Sequence, residues 1–374
     1  MIDALLAWLN DGCTEPGNER PRLTGGIVAG LYRNSSKVTL ILFDARGELG
    51  AVVKATRRPS AEASLMAEYA ALKELTHMAP EAMRGAPRPI ALERVDGHLV
   101  LVESPVVGEP MTARYYSPGH TSDPGRVALD FRAAASWLER FQQTTATGEV
   151  LVDSVSIDAC VDGVRTRYQR EIGWNRVEEE LFDSLTRRGL DFEGTRLPLV
   201  GVHGDFWMGN LLMGEERIEG VVDWELARLN GLPFQDIFKF PTSYGFYLDR
   251  AYPGNDGVVP GHVGWGRGHE RWAQYGDWSN LVGFRYSYFE AGWFPDLVRQ
   301  FIELQLKRAG VPVGLVAVFF PLFLAEQAMT LDDPEFRNGY RAALRAFWRE
   351  RESTWLWNED KAGLNAKTPG GKDS

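Results

Sequence analysis

The stretch His203–Asn210, HGDFWMGN, gathers an imidazole, a carboxylate and an amide in one loop, and a second carboxylate, Asp223, ends the apolar run IEGVVD that follows. Phosphoryl transfer needs oxygen donors of this kind. One carboxylate must orient an acceptor hydroxyl and take its proton, while an amide oxygen and a second carboxylate hold magnesium on the phosphates. Taken singly, Asp205 and Asn210 are ordinary turn formers and Asp223 an ordinary strand end. Their order and spacing together favour the chemistry.

The same chemistry requires a cation on the α- and β-phosphates and a helix-borne carboxylate to position it. AVVKA places Lys54 on a third strand. Glu68 falls between Leu65 and Leu72 on the apolar face of its helix, where an unpaired carboxylate is costly to bury. Lys54 is its natural partner; the alternatives are that Glu62 or Glu74 pairs with Lys54 instead, or that Lys54 is solvent-exposed.

The elements that must position these groups read as an α+β fold. LTGGIVAG, KVTLILFD and ELGAVVKA alternate as strands of a small antiparallel sheet, with ARGE as a turn. Pro59 and Ser60 open the helix SAEASLMAEYAALKELTHM, and PIALERVD with HLVLVES forms a further strand pair. Beyond Pro105 the chain turns mostly helical, VALDFRAAASWLERFQQTT being the clearest case, and HGDFWMGN interrupts it between the short strands LPLVGV and IEGVVDW. PDLVRQFIELQLKRAG and DPEFRNGYRAALRAFWRERE follow as helices with proline in the first turn. The expected organisation is a nucleotide-binding lobe over 1–104, a lobe over 105–360 with the catalytic loop and acceptor site, and a disordered tail over 361–374.

Composition limits the function classes. A chain of 374 residues, 44% hydrophobic and 25% charged, has room for a large core. A net charge of -10 and a pI near 5.3 offer no basic stripe for nucleic acid. Cys13 and Cys160 lie far apart, without zinc or disulfide spacing, which fits a reducing cytoplasm. MIDALLAWLN carries Asp3 where an export signal needs basic residues, and reads as an amphipathic helix. GVPVGLVAVFFPLFLA is shorter than the roughly 20 residues that span a bilayer and contains two prolines, so a buried helix and no membrane insertion are expected. The chain lacks a G-x-S-x-G elbow and a Walker A loop, and its six histidines are scattered.

HGDFWMGN with VVDWE, preceded by AVVKA and MAEYAALKEL, resembles the aminoglycoside phosphotransferase and choline kinase family. The resemblance runs from about Leu23 to Phe240. It implies a protein-kinase-like two-lobed fold that transfers the γ-phosphate of ATP, or GTP, to a small hydroxyl acceptor with Mg²⁺. Asp205 would be the catalytic base, Asn210 and Asp223 the metal ligands, Lys54 the phosphate lysine and Glu68 its partner. His203 and Asp236 would support the catalytic loop, and Glu225 could touch a second metal or be a solvated loop residue. The purine would sit against LVLVESPVVGEPM; because Pro105 has no N–H, the carbonyl of Glu103 and the amide of Val106 are expected to make the contacts. GLYRNSSK replaces the usual glycine-rich loop, so Ser35 and Ser36 either bind phosphate or form a polar hairpin turn. Asp223 is followed by Trp-Glu, which favours a small-molecule kinase over a protein kinase.

The acceptor is less legible. Aromatics crowd the segment between Tyr244 and Phe294, including Tyr247, Tyr252, Trp265, Trp272, Tyr275, Trp278, Tyr286, Tyr288 and Trp293, alongside Glu270, Asp277 and Glu290. Rings and carboxylates can hold a sugar or a cationic amine, although Tyr286, Phe289 and Trp293 also share the spacing of a packed helix face. A sugar, amino sugar or aminoglycoside is the first expectation. A choline-like amino alcohol and a non-catalytic kinase-fold ligand-binding protein are the alternatives.

Overall fold

The computed structural model describes residues 2–12, 22–29, 36–246, 248, 280–330 and 333–358. The tail expected over 361–374 lies outside them. By compactness the chain divides into two units, and differently from an expected break after residue 104. One unit comprises Met1–Met111, Arg140–Ala146 and Val200–Gly231; the other comprises Thr112–Glu139, Thr147–Leu199 and Leu232–Ser374. The loop His203–Asn210 thus groups with the N-terminal sheet, because the turn that follows the loop is bonded to a helix of that sheet's layer.

The first unit is built on the five-stranded antiparallel sheet β1 (Leu23–Ala29), β2 (Lys37–Asp44), β3 (Leu49–Thr56), β5 (His98–Glu103) and β4 (Pro89–Val95), in that order across the sheet. Strand period two divides its faces. Leu40, Leu42, Val53, Ala55, Val100 and Val102 pack with Leu5 and Leu9 of α1 (Ile2–Gly12), so the N-terminal amphipathic stretch is a core helix. Leu99 and Leu101 point to the opposite face, onto Leu65 of α2 (Glu62–Met78). The β4–β5 hairpin turns at Asp96 and Gly97, with φ of 52° and 81°, the left-handed pair that a tight two-residue turn requires.

A three-stranded sheet joins the short strands Glu109–Pro110, Leu211–Met213 and Ile218–Val221. The Val221 N–H donates to the Gly85 carbonyl at 3.1 Å. Gly85 has φ +87°, and a Cβ there would stand 2.1 Å from the Glu219 carbonyl oxygen, so only glycine allows this approach. In the same unit, Val200 and Val202 pair with the strand Arg228–Gly231, which brackets the catalytic loop between paired strands.

The second unit is mainly helical. Phe131 lies edge-on to Phe240, Tyr244, Phe294 and Phe301, and Asp130 accepts from Tyr244 Oη at 2.8 Å while it meets His120 Nε2 at 2.7 Å. Burial alone would raise the carboxyl of Glu178, but hydrogen bonds from Arg341 and Arg345 outweigh it and hold the group down at about 2. Tyr168 donates to the same carboxylate at 2.9 Å. Val313–Thr330 has the length and apolarity to cross a membrane, and 83% of it is buried within the protein. The helix Trp293–Arg308 begins two residues before the expected proline start, and Pro334–Glu350 has Pro334 in its first turn with Asp333 accepting from the Glu335 N–H.

Candidate active site

Sheet parity aims the key lysine. With Val53 and Ala55 turned toward α1, Lys54 projects to the α2 side, as does Glu103 at the end of β5. Lys54 Nζ lies 2.5 Å from Glu68 Oε1, 2.7 Å from Asp223 Oδ1 and 3.5 Å from Glu103 Oε2. Lys54 is 5% exposed, Glu68 0% and Glu103 1%, so the cluster is screened little by water. Glu68 Oε1 also accepts the Trp224 N–H at 2.9 Å, which ties the turn after Asp223 to α2. Glu62 instead pairs with Arg94 at 2.6 Å.

Charge in this cluster follows from burial and proximity. Burial alone would pull Lys54 down, but Asp223, Glu68 and Glu103 outweigh it and hold the ammonium well above its ordinary range. Lys54 beside Asp223 holds that carboxyl down at about 2. Burial pushes the Glu103 carboxyl up to about 7, against the attraction of Lys54. Native Glu103 therefore binds a proton between its ordinary range and about pH 7, where the unfolded chain has released it, and its contribution to stability falls as pH rises through that window. Glu103→Gln is accordingly expected to gain stability over the wild type at pH 8 relative to pH 5, by up to about 3 kcal/mol. Urea unfolding at the two pH values measures it, and an equal difference at both would place the proton elsewhere.

The loop His203–Asn210 holds its geometry through local bonds. His203 is fully buried; its Nδ1 accepts the Asp205 N–H at 3.2 Å and its Nε2 faces the Val222 carbonyl at 3.0 Å. A carbonyl can only accept, so Nε2–H donates to Val222 while Nδ1 accepts from Asp205, which engages both nitrogens. That leaves it a fastening between loop and strand, with both nitrogens committed and neither placed for proton transfer. Gly204, at φ +86°, would put a Cβ 2.4 Å from the Leu226 carbonyl. Asp205 is half-exposed, and Asn210 Nδ2 donates to its carbonyl and to its Oδ2, both at 3.0 Å. With its amide nitrogen so committed, Asn210 turns its oxygen away from Asp205.

Asp223 is one of two non-glycine residues at positive φ among those described, at 65°. Asp96 occupies a tight turn, whereas Asp223 lies two residues beyond the strand Ile218–Val221, where the left-handed conformation costs about 1 kcal/mol and swings the carboxylate to Lys54. Its side chain remains 45% exposed, open to a further ligand. Glu225 Oε2 receives both Lys37 Nζ and Ser64 Oγ, and Lys37 Nζ stands 3.1 Å from Ser64 Oγ.

Other expected residues take less central places. Ser36 precedes β2 and accepts the Arg57 N–H with its carbonyl at 2.8 Å; Ser35 lies outside the described residues. Val106 is half-buried in the connection after β5, and its N–H has no hydrogen-bond partner among the described residues. Asp236 is fully buried in the first turn of the helix Phe234–Phe246, in the second unit. Tyr286 and Tyr288 are buried core residues, Tyr286 stacked on Phe294 and Tyr288 bonded to Thr242 at 2.6 Å, and Glu290 pairs with Arg285. Tyr247, Tyr252, Trp265, Trp272, Tyr275, Trp278, Glu270 and Asp277 lie outside the described residues. Sequence reasoning overlooked the side chain of Glu103, considered only for its carbonyl, and both Lys37 and Ser64. Strand alternation could have flagged the first two; their partners depend on register.

Residues 38–255 match the model of the phosphotransferase enzyme family. Among solved structures, a thermostable mutant of aminoglycoside phosphotransferase APH(4)-Ia, in ternary complex with AMP-PNP and hygromycin B, is 12% identical with a TM-score of 0.56, covering 94% of this chain and 99% of that one. The ADP and hygromycin B complex of another such mutant is also 12% identical, with a TM-score of 0.53 over 87% and 94% of the two chains. No curated protein sequence matches the chain. The likeness to these structures shows the fold, an α+β kinase-like architecture with an antiparallel sheet and a mainly helical part. With the family model spanning more than half of the sequence, the chain belongs to the phosphotransferase enzyme family and is a small-molecule phosphotransferase that uses a hydroxyl group as acceptor.

Proposed function

We propose that the enzyme transfers the γ-phosphate of ATP, or GTP, to a hydroxyl of a sugar, amino sugar or aminoglycoside. The observation that carries the reading is the convergence of Lys54, Glu68 and Asp223 beside a loop in which Asn210 is bonded to Asp205. Lys54 sits on the α- and β-phosphates, steadied by Glu68. Asp205, half-exposed and within reach of an incoming hydroxyl, orients it for in-line attack and takes its proton. Val106 offers its N–H to the purine, with the Glu103 carbonyl as the accepting partner.

Asn210 and Asp223 supply hard oxygen donors that suit Mg²⁺, which takes one or two protein oxygens and completes its shell with phosphate and water. Among the described residues no three His, Cys, Asp or Glu side chains cluster as a metal cage, so such a shared site is the arrangement these donors fit. Held by Asn210 and Asp223, Mg²⁺ would offset the negative charge that develops on the transferring phosphoryl group. His203 is assigned to support of the catalytic loop. A sugar or aminoglycoside acceptor is favoured by the ligand held in the related structures, hygromycin B, together with the carboxylates Glu270 and Asp277 of the sequence. On the same reading the enzyme works in the cytoplasm, where ATP is supplied and Cys13 and Cys160 stay reduced.

The test is a screen of the purified protein with Mg-ATP and Mg-GTP against sugars, amino sugars, aminoglycosides and amino alcohols, with products detected by mass spectrometry. A phosphorylated sugar or aminoglycoside is expected. A product formed only from amino alcohols would move the acceptor to the choline-like class, and nucleotide binding without any product would favour a ligand-binding role.

A further inference from the structure

Lys54 is one of two lysines that the sheet aims at the same region. In the β2–β3 register Thr39 lies opposite Lys54 and Lys37 opposite Thr56, so Lys37 and Lys54 project from one face, two residues apart along paired strands. The burial of β2 alternates accordingly, with Val38, Leu40 and Leu42 turned to the α1 core. Lys37 is the first residue of β2 and directly follows GLYRNSS in the sequence. It is also close enough to Asp223 that its charge helps to hold that carboxylate ionised.

Its present partners are Glu225, two residues after Asp223, and Ser64, one helical turn before Glu68 on α2. Ser64 bonds the same Glu225 oxygen. A carboxylate with a serine hydroxyl holds a lysine at the edge of a site that has to receive a polyanion. Glu225 is 30% exposed and Lys37 18%, so the pair is open to exchange with an incoming ligand. A triphosphate is a stronger and better matched partner for an ammonium than one carboxylate.

We propose that Lys37 is a second phosphate-binding cation, which Glu225 and Ser64 hold and which a nucleoside di- or triphosphate takes from them. The inference rests on the nucleotide reading above. Its alternative is a purely structural clamp between β2, α2 and the turn after Asp223. The two differ in what they sense: a phosphate contact depends on the number of phosphates, whereas a clamp acts on every nucleotide alike.

Affinities for ATP, ADP and AMP are measured by calorimetry in EDTA, which removes any contribution of a metal at Asp223 or Glu225, for the wild type, Lys37→Met, Lys37→Arg and Glu225→Gln. Lys37→Met is expected to weaken ATP by about tenfold with AMP unchanged, and Lys37→Arg to restore most of the loss. Glu225→Gln, which frees the lysine and leaves a neutral side chain in place, is expected to tighten ATP severalfold. An unchanged ATP-to-AMP ratio in Lys37→Met, or weaker ATP binding in Glu225→Gln, overturns the inference while leaving the kinase reading intact. If Lys37→Met does not fold, the Glu225→Gln arm still decides. Failure of the wild type to bind any of the three nucleotides in EDTA overturns the inference, and failure to bind Mg-ATP as well would overturn both readings.

Discussion

Asp205→Ala is expected to lower turnover on the order of 10²- to 10⁴-fold while Mg-ATP affinity stays within about twofold. The separation follows from how the loop is built. Asn210 Nδ2 holds the Asp205 backbone carbonyl as well as its carboxylate, so the backbone bond survives truncation and Asn210 keeps its orientation. The His203–Asp205 backbone bond and the His203–Val222 contact also survive, because neither uses the lost side chain. Asp205 is half-exposed, and the loss of one partly solvated contact costs about 1 kcal/mol of stability, which thermal denaturation can set apart from the catalytic loss. Single-turnover kinetics on the acceptor found by the screen gives the decisive reading. Near-normal turnover in Asp205→Ala would remove it as the base. A parallel collapse of nucleotide affinity would mean that the loop itself had moved.

Asp223 fails differently. Asp223→Asn should weaken Mg-ATP about 10- to 100-fold, the loss of a charge-assisted contact at about 1.5–3 kcal/mol, and lower turnover with it. Asparagine tolerates φ near +65°, so the turn is kept and the loss reports on charge. Asp223→Gly relieves the backbone cost altogether and removes the ligand. The two variants should therefore bind Mg-ATP equally poorly while glycine leaves the protein at least as stable. Lys54 remains compensated in both, because Glu68 still receives it at 2.5 Å. In EDTA the difference from the wild type should shrink, since the metal contribution is then absent from all of them. Asp223→Asn that binds Mg-ATP like the wild type would take Asp223 out of the ligand set.

Neighbours along the chain were enough to specify part of the site. Period two on β3 turns Lys54 away from Val53 and Ala55, helical spacing sets Glu68 with Leu65 and Leu72, and the short separation of Asp205 and Asn210 closes their hydrogen bond within one loop. The core helix over 316–330 is equally legible, because continuous apolarity interrupted by proline suits burial in protein. Long-range packing set the rest. Lys54 meets Asp223, and Glu68 meets the Trp224 N–H, only because strand register and the closure of long loops bring distant segments together. Glu103 becomes a proton-holding carboxylate only through its burial, which outweighs the attraction of Lys54, a property of the packed cluster that leaves no local trace. Lys37 and Glu225 show the same limit: each looks like a solvated charge in its own segment, and their pairing exists because a strand end, a helix and a turn at positive φ converge. Electrostatic partnership depends on distance and dielectric in three dimensions, which spacing along a chain encodes only over a turn or two.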